Sequence, residues 1–172
     1  MAPHAVIVGP PGSGKSTVAR LVAEALGLPA RDTDDDVEAV AGAPVSDVFV
    51  EQGEDGFRAL ERSAVATALA EHDGILALGG GAVLDPGTRE LLRGRTVVFL
   101  DVGIKDAASR IGLNRDRPLL LGNPRAQWLR LMEARRPVYE EVATVRVDTD
   151  GRTAQEVAAA VLQALDQAER AR

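Results

Sequence analysis

Gly9-Pro10-Pro11-Gly12-Ser13-Gly14-Lys15-Ser16 sets a lysine and a hydroxyl directly behind a glycine-rich turn, in the spacing G-x-x-x-x-G-K-[ST]. Those residue types in that order suit a nucleoside triphosphate. The glycines let successive backbone N–H groups turn inward on phosphate oxygens, and a helix starting there adds its positive N-terminal end. Lys15 would bridge the β- and γ-phosphates, and the hydroxyl of Ser16 would ligate Mg²⁺. The expected ATP contacts are therefore Gly12, Ser13, Gly14, Lys15, Ser16 and Thr17. A chance match to the pattern in a chain this long has a probability on the order of one per cent. The apolar run Ala5–Val8 before it and the amphipathic segment after it lower that further.

A second group of chemical interest is Asp32-Thr33-Asp34-Asp35-Asp36. Carboxylates beside a phosphate loop can anchor a metal, directly or through water, or take a proton from an acceptor hydroxyl. Asp32 and Asp34 would point the same way if the chain stays extended there. The competing reading is an N-cap and acidic first turn for a helix over Val37–Val40, and Asp35 and Asp36 are assigned to that alone. The apolar run Ile75–Leu78 ends in Gly79-Gly80-Gly81 where a metal-binding Asp would be looked for, so the anchoring role falls to Ser16 and Asp32. The triple glycine is either a flexible turn or a backbone that offers N–H groups to a bound acceptor. Arginines crowd residues 110–136, at Arg110, Arg115, Arg117, Arg125, Arg130, Arg135 and Arg136, which suits a compact anion.

The elements that must position these groups follow an alternating pattern. Ala5–Val8, Ile75–Leu78, Val97–Leu100 and Val145–Val147 read as strands, with a weaker one near Ala30-Arg31. The first three are apolar throughout, as in strands covered on both faces. Val18, Leu21, Val22, Ala25 and Leu26 trace one helical face ended by Gly27, and Val157, Val161, Leu162 and Leu165 trace another between Thr153 and about Ala168. The pattern predicts a single α/β domain over residues 1–172, with a parallel sheet and helices on both faces. Two segments exceed a simple crossover. One, Thr33 to about His72, is read as an acceptor-binding insertion (about 33–61), and the other, about 110–124, as a lid.

Composition narrows the function. The formal charge of −6 argues against a nucleic-acid partner, whose affinity would rest on a basic face. No apolar run approaches the roughly 18 residues of a membrane span, and the N-terminus has no basic region of a signal peptide. Cysteine is absent, which excludes disulfides and Cys-ligated zinc and is compatible with the cytoplasm. With one Trp, one Tyr and three Phe, the core must be built from Ala, Val and Leu.

Taken together, these motifs resemble the shikimate kinase family over nearly the whole chain. To the phosphate loop and Asp32-Thr33-Asp34 are added G-E-x-x-F-R-x-x-E at Gly53–Glu61, G-G-G-A at Gly79–Ala82, R-P-L-L at Arg117–Leu120 and R-x-P-x-Y at Arg135–Tyr139. Val138 stands where the family usually has Leu. The resemblance implies a three-layer P-loop fold of the nucleoside-monophosphate-kinase type, with a five-stranded parallel sheet in the order 2-3-1-4-5. It implies ATP-dependent phosphorylation of shikimate at its 3-hydroxyl, in aromatic amino-acid biosynthesis through chorismate, with Mg²⁺; a cytoplasmic monomer is expected. It carries over catalytic roles to Lys15, Asp34 and Arg117, and places Arg110 and Arg152 near the adenine. Asp34, Arg58, Arg135 and the backbone of Gly79, Gly80 and Gly81 would bind the acceptor, Ser16 would bind the metal, and Asp32 would do so through a water. Arg136 competes with its neighbour Arg135 for the carboxylate, and Arg58 with Glu61 reads equally as an i, i+3 surface pair. The rival readings are a gluconate kinase, a nucleoside monophosphate kinase, and a P-loop regulatory module that binds ATP without acceptor turnover.

Overall fold

The computed structural model describes residues 2–112 and 123–172. The elements run β1 (Ala5–Val8), α1 (Lys15–Leu26), β2 (Ala30–Asp32), α2 (Thr33–Ala41), α3 (Val45–Glu71) and β3 (Ile75–Ala77). A 3₁₀ turn (Ala82–Leu84) follows, then α4 (Pro86–Leu92), β4 (Val97–Asp101), α5 (Ile104–Ile111), α6 (Pro124–Val142), β5 (Val145–Asp148) and α7 (Ala154–Arg170). The sheet order is β2-β3-β1-β4-β5, every pair parallel, as the family resemblance implies.

Strand periodicity of two divides the apolar residues between two cores. Ala5 and Ile7 of β1, with Ile75, Ala77, Val98 and Leu100, face α1 and α7. Val6 and Val8, with Leu76, Val97 and Phe99, face α3, α4 and α6. The central strands are buried on both sides, which is why they read as continuous apolar runs. Phe99 stacks on Tyr139 at 5.1 Å between ring centroids, and Phe49 on Phe57 at 4.4 Å. Of the aromatic residues only Phe49 is exposed.

Because the strands are parallel, their C-terminal ends share one edge. That edge collects the phosphate loop after β1, Asp32 at the end of β2, the triple glycine after β3, Asp101 at the end of β4 and the turn after β5. Ligands of open α/β sheets bind at this edge.

The long segment between β2 and β3 is two helices, α2 and α3, so it is too long for one crossover helix, as its length requires. Gly53 interrupts α3 with φ 72° and ψ 179°, the left-handed φ that glycine tolerates, and kinks the helix there. A small satellite core of Val37, Val48 and Phe57 joins α2 to α3. One expectation is corrected here. The chain is extended only as far as Asp32, because α2 begins at Thr33 rather than near Val37, so Asp34 lies in the first helical turn. No helix among the described residues is long and apolar enough to cross a membrane.

Candidate active site

The phosphate loop leads into α1 through Gly14, which occupies the N-cap position at φ 84° with no side-chain cap. The first N–H groups of the helix are therefore left for another acceptor. Gly12 packs so tightly on α5 that a Cβ would lie 2.9 Å from Ala107 Cα, and Gly9 would bring one to 2.6 Å from the Leu100 carbonyl. The hydroxyl of Ser13 is buried within the loop and has no partner among the described residues.

Lys15 donates from Nζ to the Pro10 carbonyl at 3.2 Å, across the turn it would close on phosphates. Burial lowers its pKa to about 8, against the opposing pull of Asp34 and Asp32 and with a further push from Arg135. Ser16 donates from Oγ to the Asp32 carboxylate. Asp32 also caps α2, its Oδ1 accepting from the Asp34 N–H at 2.9 Å, so the two readings of Asp32 are not alternatives: one oxygen caps and the other faces Ser16. Asp34 lines the same cavity of about 510 Å³ as Lys15, Ser16, Asp32, Arg110 and Arg152. Burial, then the charges of Asp32 and Glu61, push its carboxyl up to about 6, with Lys15 opposing. Asp36, by contrast, is tied to Arg31 at 2.8 Å, in keeping with a structural role.

Each glycine of the triplet faces at least one charged side chain. A Cβ on Gly79 would stand 2.6 Å from Asp34 Oδ1 and 2.9 Å from Glu61 Oε2. One on Gly80 would stand 3.4 Å from Arg135 Nη1, and one on Gly81 would stand 2.5 Å from Arg58 Nη2. The run is therefore the floor against which a carboxylate and guanidinium groups converge, more than a flexible turn. Its own backbone is pinned: Gly79 donates to Thr33 Oγ1 at 3.2 Å, and Tyr139 donates to the Gly80 carbonyl at 2.6 Å.

Arg58 donates to Glu61 Oε1 at 2.6 Å, and the Glu61 side chain is only 4% exposed. The reading of this pair as a solvated surface contact is thus corrected, since Glu61 is buried against Gly79 at the sheet edge. Arg135 and Arg136 diverge, being adjacent on a helix. Arg135 turns toward Gly80 and Tyr139, while Arg136 donates to Asp101 Oδ2 at 2.7 Å beside Arg146. Arg110 bolts the phosphate loop to the turn after β5, donating to Gly12 O, Thr149 Oγ1 and Thr149 O, each at 3.0 Å. Arg117, with most of the lid segment, lies outside the described residues.

Residues to which the sequence analysis gives no part in the site support it from a distance. Glu61 fixes Arg58 and faces Asp34; Tyr139 and Thr33 pin the triple glycine; Trp128 donates to the Pro11 carbonyl at 2.9 Å. Thr33, Glu61 and Tyr139 stand inside quoted motifs, which was the only available signal; Trp128 had none.

A phosphate loop on a 2-3-1-4-5 sheet, with a carboxylate and paired guanidinium groups beside its lysine, defines an ATP-dependent P-loop kinase of a small molecule. The shikimate kinase family profile matches residues 11–166. The chain is 59% identical to the shikimate kinase of Streptomyces avermitilis over 95% of its own length and 96% of that protein, and 56% identical to that of Streptomyces coelicolor over 96% of each. In structure it is similar to shikimate kinase from Acinetobacter baumannii in complex with shikimate, with TM-score 0.88, 33% identity and coverage of 97% and 94% of the two chains. The chain belongs to the shikimate kinase family.

Proposed function

We propose that this chain transfers the γ-phosphate of ATP to the 3-hydroxyl of shikimate, in the chorismate route to aromatic amino acids. The observation that carries the reading is the convergence of Asp34, Arg135 and Arg58 on Gly79, Gly80 and Gly81, beside Lys15. A polyhydroxylated acid matches that set: paired guanidinium forks take a carboxylate bidentately, and a carboxylate takes ring hydroxyls. Residues 1–172 would act as one kinase domain, with about 33–61 as the acceptor-binding part and about 110–124 as the lid.

The donor side follows from the loop. Gly12, Ser13, Gly14, Ser16 and Thr17 bind the phosphates; the buried Ser13 hydroxyl, unpartnered among the described residues, and the uncapped start of α1 support this. Lys15 neutralises charge on the transferring group, and Arg110 and Arg152 border the nucleobase end of the same cavity. The Ser16 hydroxyl and the Asp32 carboxylate fit Mg²⁺, Ser16 as direct ligand and Asp32 through a water, and the ion when bound would neutralise phosphate charge. Asp34 holds the acceptor hydroxyl and, with a pKa near 6, can receive its proton once ionised. Arg117 enters on the R-P-L-L motif alone, as the lid's contact to the transferring phosphate. Transfer is in line and direct, with no phosphoenzyme, and depends on positioning and charge neutralisation. On the same reading the enzyme is a cytoplasmic monomer with no nucleic-acid or membrane partner.

The test is ADP release from Mg·ATP with shikimate, gluconate, AMP or no acceptor. Turnover stimulated by shikimate alone is expected. Stimulation by another acceptor would keep the kinase and overturn the acceptor, and ATP binding without acceptor-dependent turnover would favour a regulatory module.

A further inference from the structure

One face of α6 touches both halves of the site. Trp128, Met132, Arg135 and Tyr139 follow one another at spacings of four, three and four, which places them in one stripe. At one end of the stripe the indole N–H of Trp128 donates to the Pro11 carbonyl of the phosphate loop, across 117 residues of sequence. At the other, Arg135 approaches Gly80 and the Tyr139 hydroxyl donates to the Gly80 carbonyl. The halves also meet directly, since a Cβ on Gly80 would lie 3.4 Å from Pro11 Cδ.

The tether matters because of what the loop is made of. Pro10 and Pro11 have no N–H to anchor them. The Pro10 carbonyl is held from within the loop, by Ser13 N at 3.2 Å and Lys15 Nζ at 3.2 Å. The Pro11 carbonyl is held from outside it, by Trp128, a residue 6% exposed in the core shared by α3 and α6. We infer that Trp128 is a positioning residue for phosphoryl transfer: it locks the phosphate loop to the helix that carries the acceptor arginine, and so sets the register of donor and acceptor. This rests on the kinase reading above. In-line transfer is sensitive to such register, a misplacement of about 1 Å costing on the order of 10²-fold.

The experiment compares native protein, Trp128→Phe and Trp128→His. Histidine Nε2 lies two bonds from Cγ, as the indole nitrogen does, so it can occupy the same place and donate, although histidine is smaller than phenylalanine. A packing role ranks Phe above His; a tether ranks His above Phe. For Trp128→Phe the expected results are an MgADP affinity weakened about three- to tenfold and a kcat with shikimate lowered about tenfold. The ratio of acceptor-free ATP hydrolysis to phosphoryl transfer should rise, while the KM for shikimate stays within about twofold. Trp128→His should recover part of each. Unchanged MgADP affinity and unchanged coupling in Trp128→Phe, whatever its Tm, would overturn the inference, as would equal losses in both variants. If native protein shows no gain with shikimate, the acceptor reading fails, and the MgADP comparison then decides the role of Trp128 by itself.

Discussion

Gly79 lies against Asp34 so closely that a methyl group there would stand 2.6 Å from the carboxylate, and Gly81 lies equally close to the Arg58 guanidinium. Neither glycine has a left-handed φ, so side-chain room, not backbone freedom, is what each provides. Gly79→Ala should displace Asp34 and lower kcat by tenfold or more, whereas Gly81→Ala should displace Arg58 and raise the KM for shikimate by a similar factor, about 1.4 kcal/mol in each case. Both should keep native MgADP affinity, measured by calorimetry. Equal loss of nucleotide binding would mean that the triplet supports the whole sheet edge.

Asp34 and Lys15 bracket the working pH. Burial and the neighbouring carboxylates hold Asp34 at about 6, and burial holds Lys15 at about 8. The pH profile of kcat/KM should therefore rise through about 6, as Asp34 ionises, and fall above about 8, as Lys15 loses its charge. Asp34→Asn should abolish the acid limb and lower kcat by about 10²–10⁴. A loss under tenfold with a raised acceptor KM would leave Asp34 as an orienting group. The same substitution should stabilise the ligand-free protein. Between the unfolded value of 3.8 and the folded value of about 6 the native chain holds the extra proton, so stability falls as pH rises through that window and stays lowered above it. Asn removes the penalty, and the gain in Tm should be present at neutral pH and vanish toward acid.

Glu61 reaches two members of the proposed acceptor pocket, holding Arg58 at 2.6 Å and meeting Asp34 beside Gly79. Glu61→Gln keeps the shape and removes the charge. It should raise the KM for shikimate by about 10–100-fold, the size of a lost charge-assisted hydrogen bond. It should also move the acid limb of kcat/KM downward, because the Glu61 charge is one of the causes raising Asp34. A purely structural Glu61 would lower Tm and leave the pH profile in place.

Arg117 can be tested on its motif. Arg117→Ala should lower kcat by roughly 10²–10⁵ with little change in shikimate KM, as for an arginine that contacts only the transferring phosphate. Near-normal turnover would remove it from the mechanism.

The donor half of the site was legible because its chemistry is local. Eight consecutive residues, Gly9–Ser16, make the loop, and the flanking runs Ala5–Val8 and Val18–Leu26 disclose their strand and helix by period. Asp32 and Asp34 were legible as candidates but not as geometry, since helix α2 takes up the chain one residue after Asp32. The acceptor half depends on contacts between distant segments. Nothing in the spacing of Arg58 and Glu61 reveals that Glu61 is buried, because that follows from the packing of α3 against Gly79, 18 residues further along the chain. Trp128 reached Pro11, and Tyr139 reached Gly80, only once α6 was laid across the sheet edge.

Adjacent arginines on α6 offer the sharpest separation of binding from structure. Arg135 turns toward Gly80 and Tyr139, in the proposed acceptor pocket. Arg136 points away, its Nη1 2.7 Å from Asp101 Oδ2, which Arg146 Nη2 also meets at 2.7 Å. Arg135→Ala should raise the KM for shikimate by roughly 10²-fold or more, the loss expected when one arm of a charged clamp is truncated, and should leave Tm nearly unchanged. Arg136→Ala should do the reverse. Burial pushes the Asp101 carboxyl up, but hydrogen bonds from Arg136 and Arg146 outweigh it and hold it below the usual carboxylate range. A depressed carboxyl stabilises the fold above its unfolded pKa of 3.8 and loses that contribution as pH falls through the folded value. The Tm deficit of Arg136→Ala should therefore be largest at neutral pH and shrink in acid, with shikimate KM close to native. A raised KM for Arg136→Ala at unchanged Tm would transfer the carboxylate contact to Arg136 and require α6 to rotate when substrate binds.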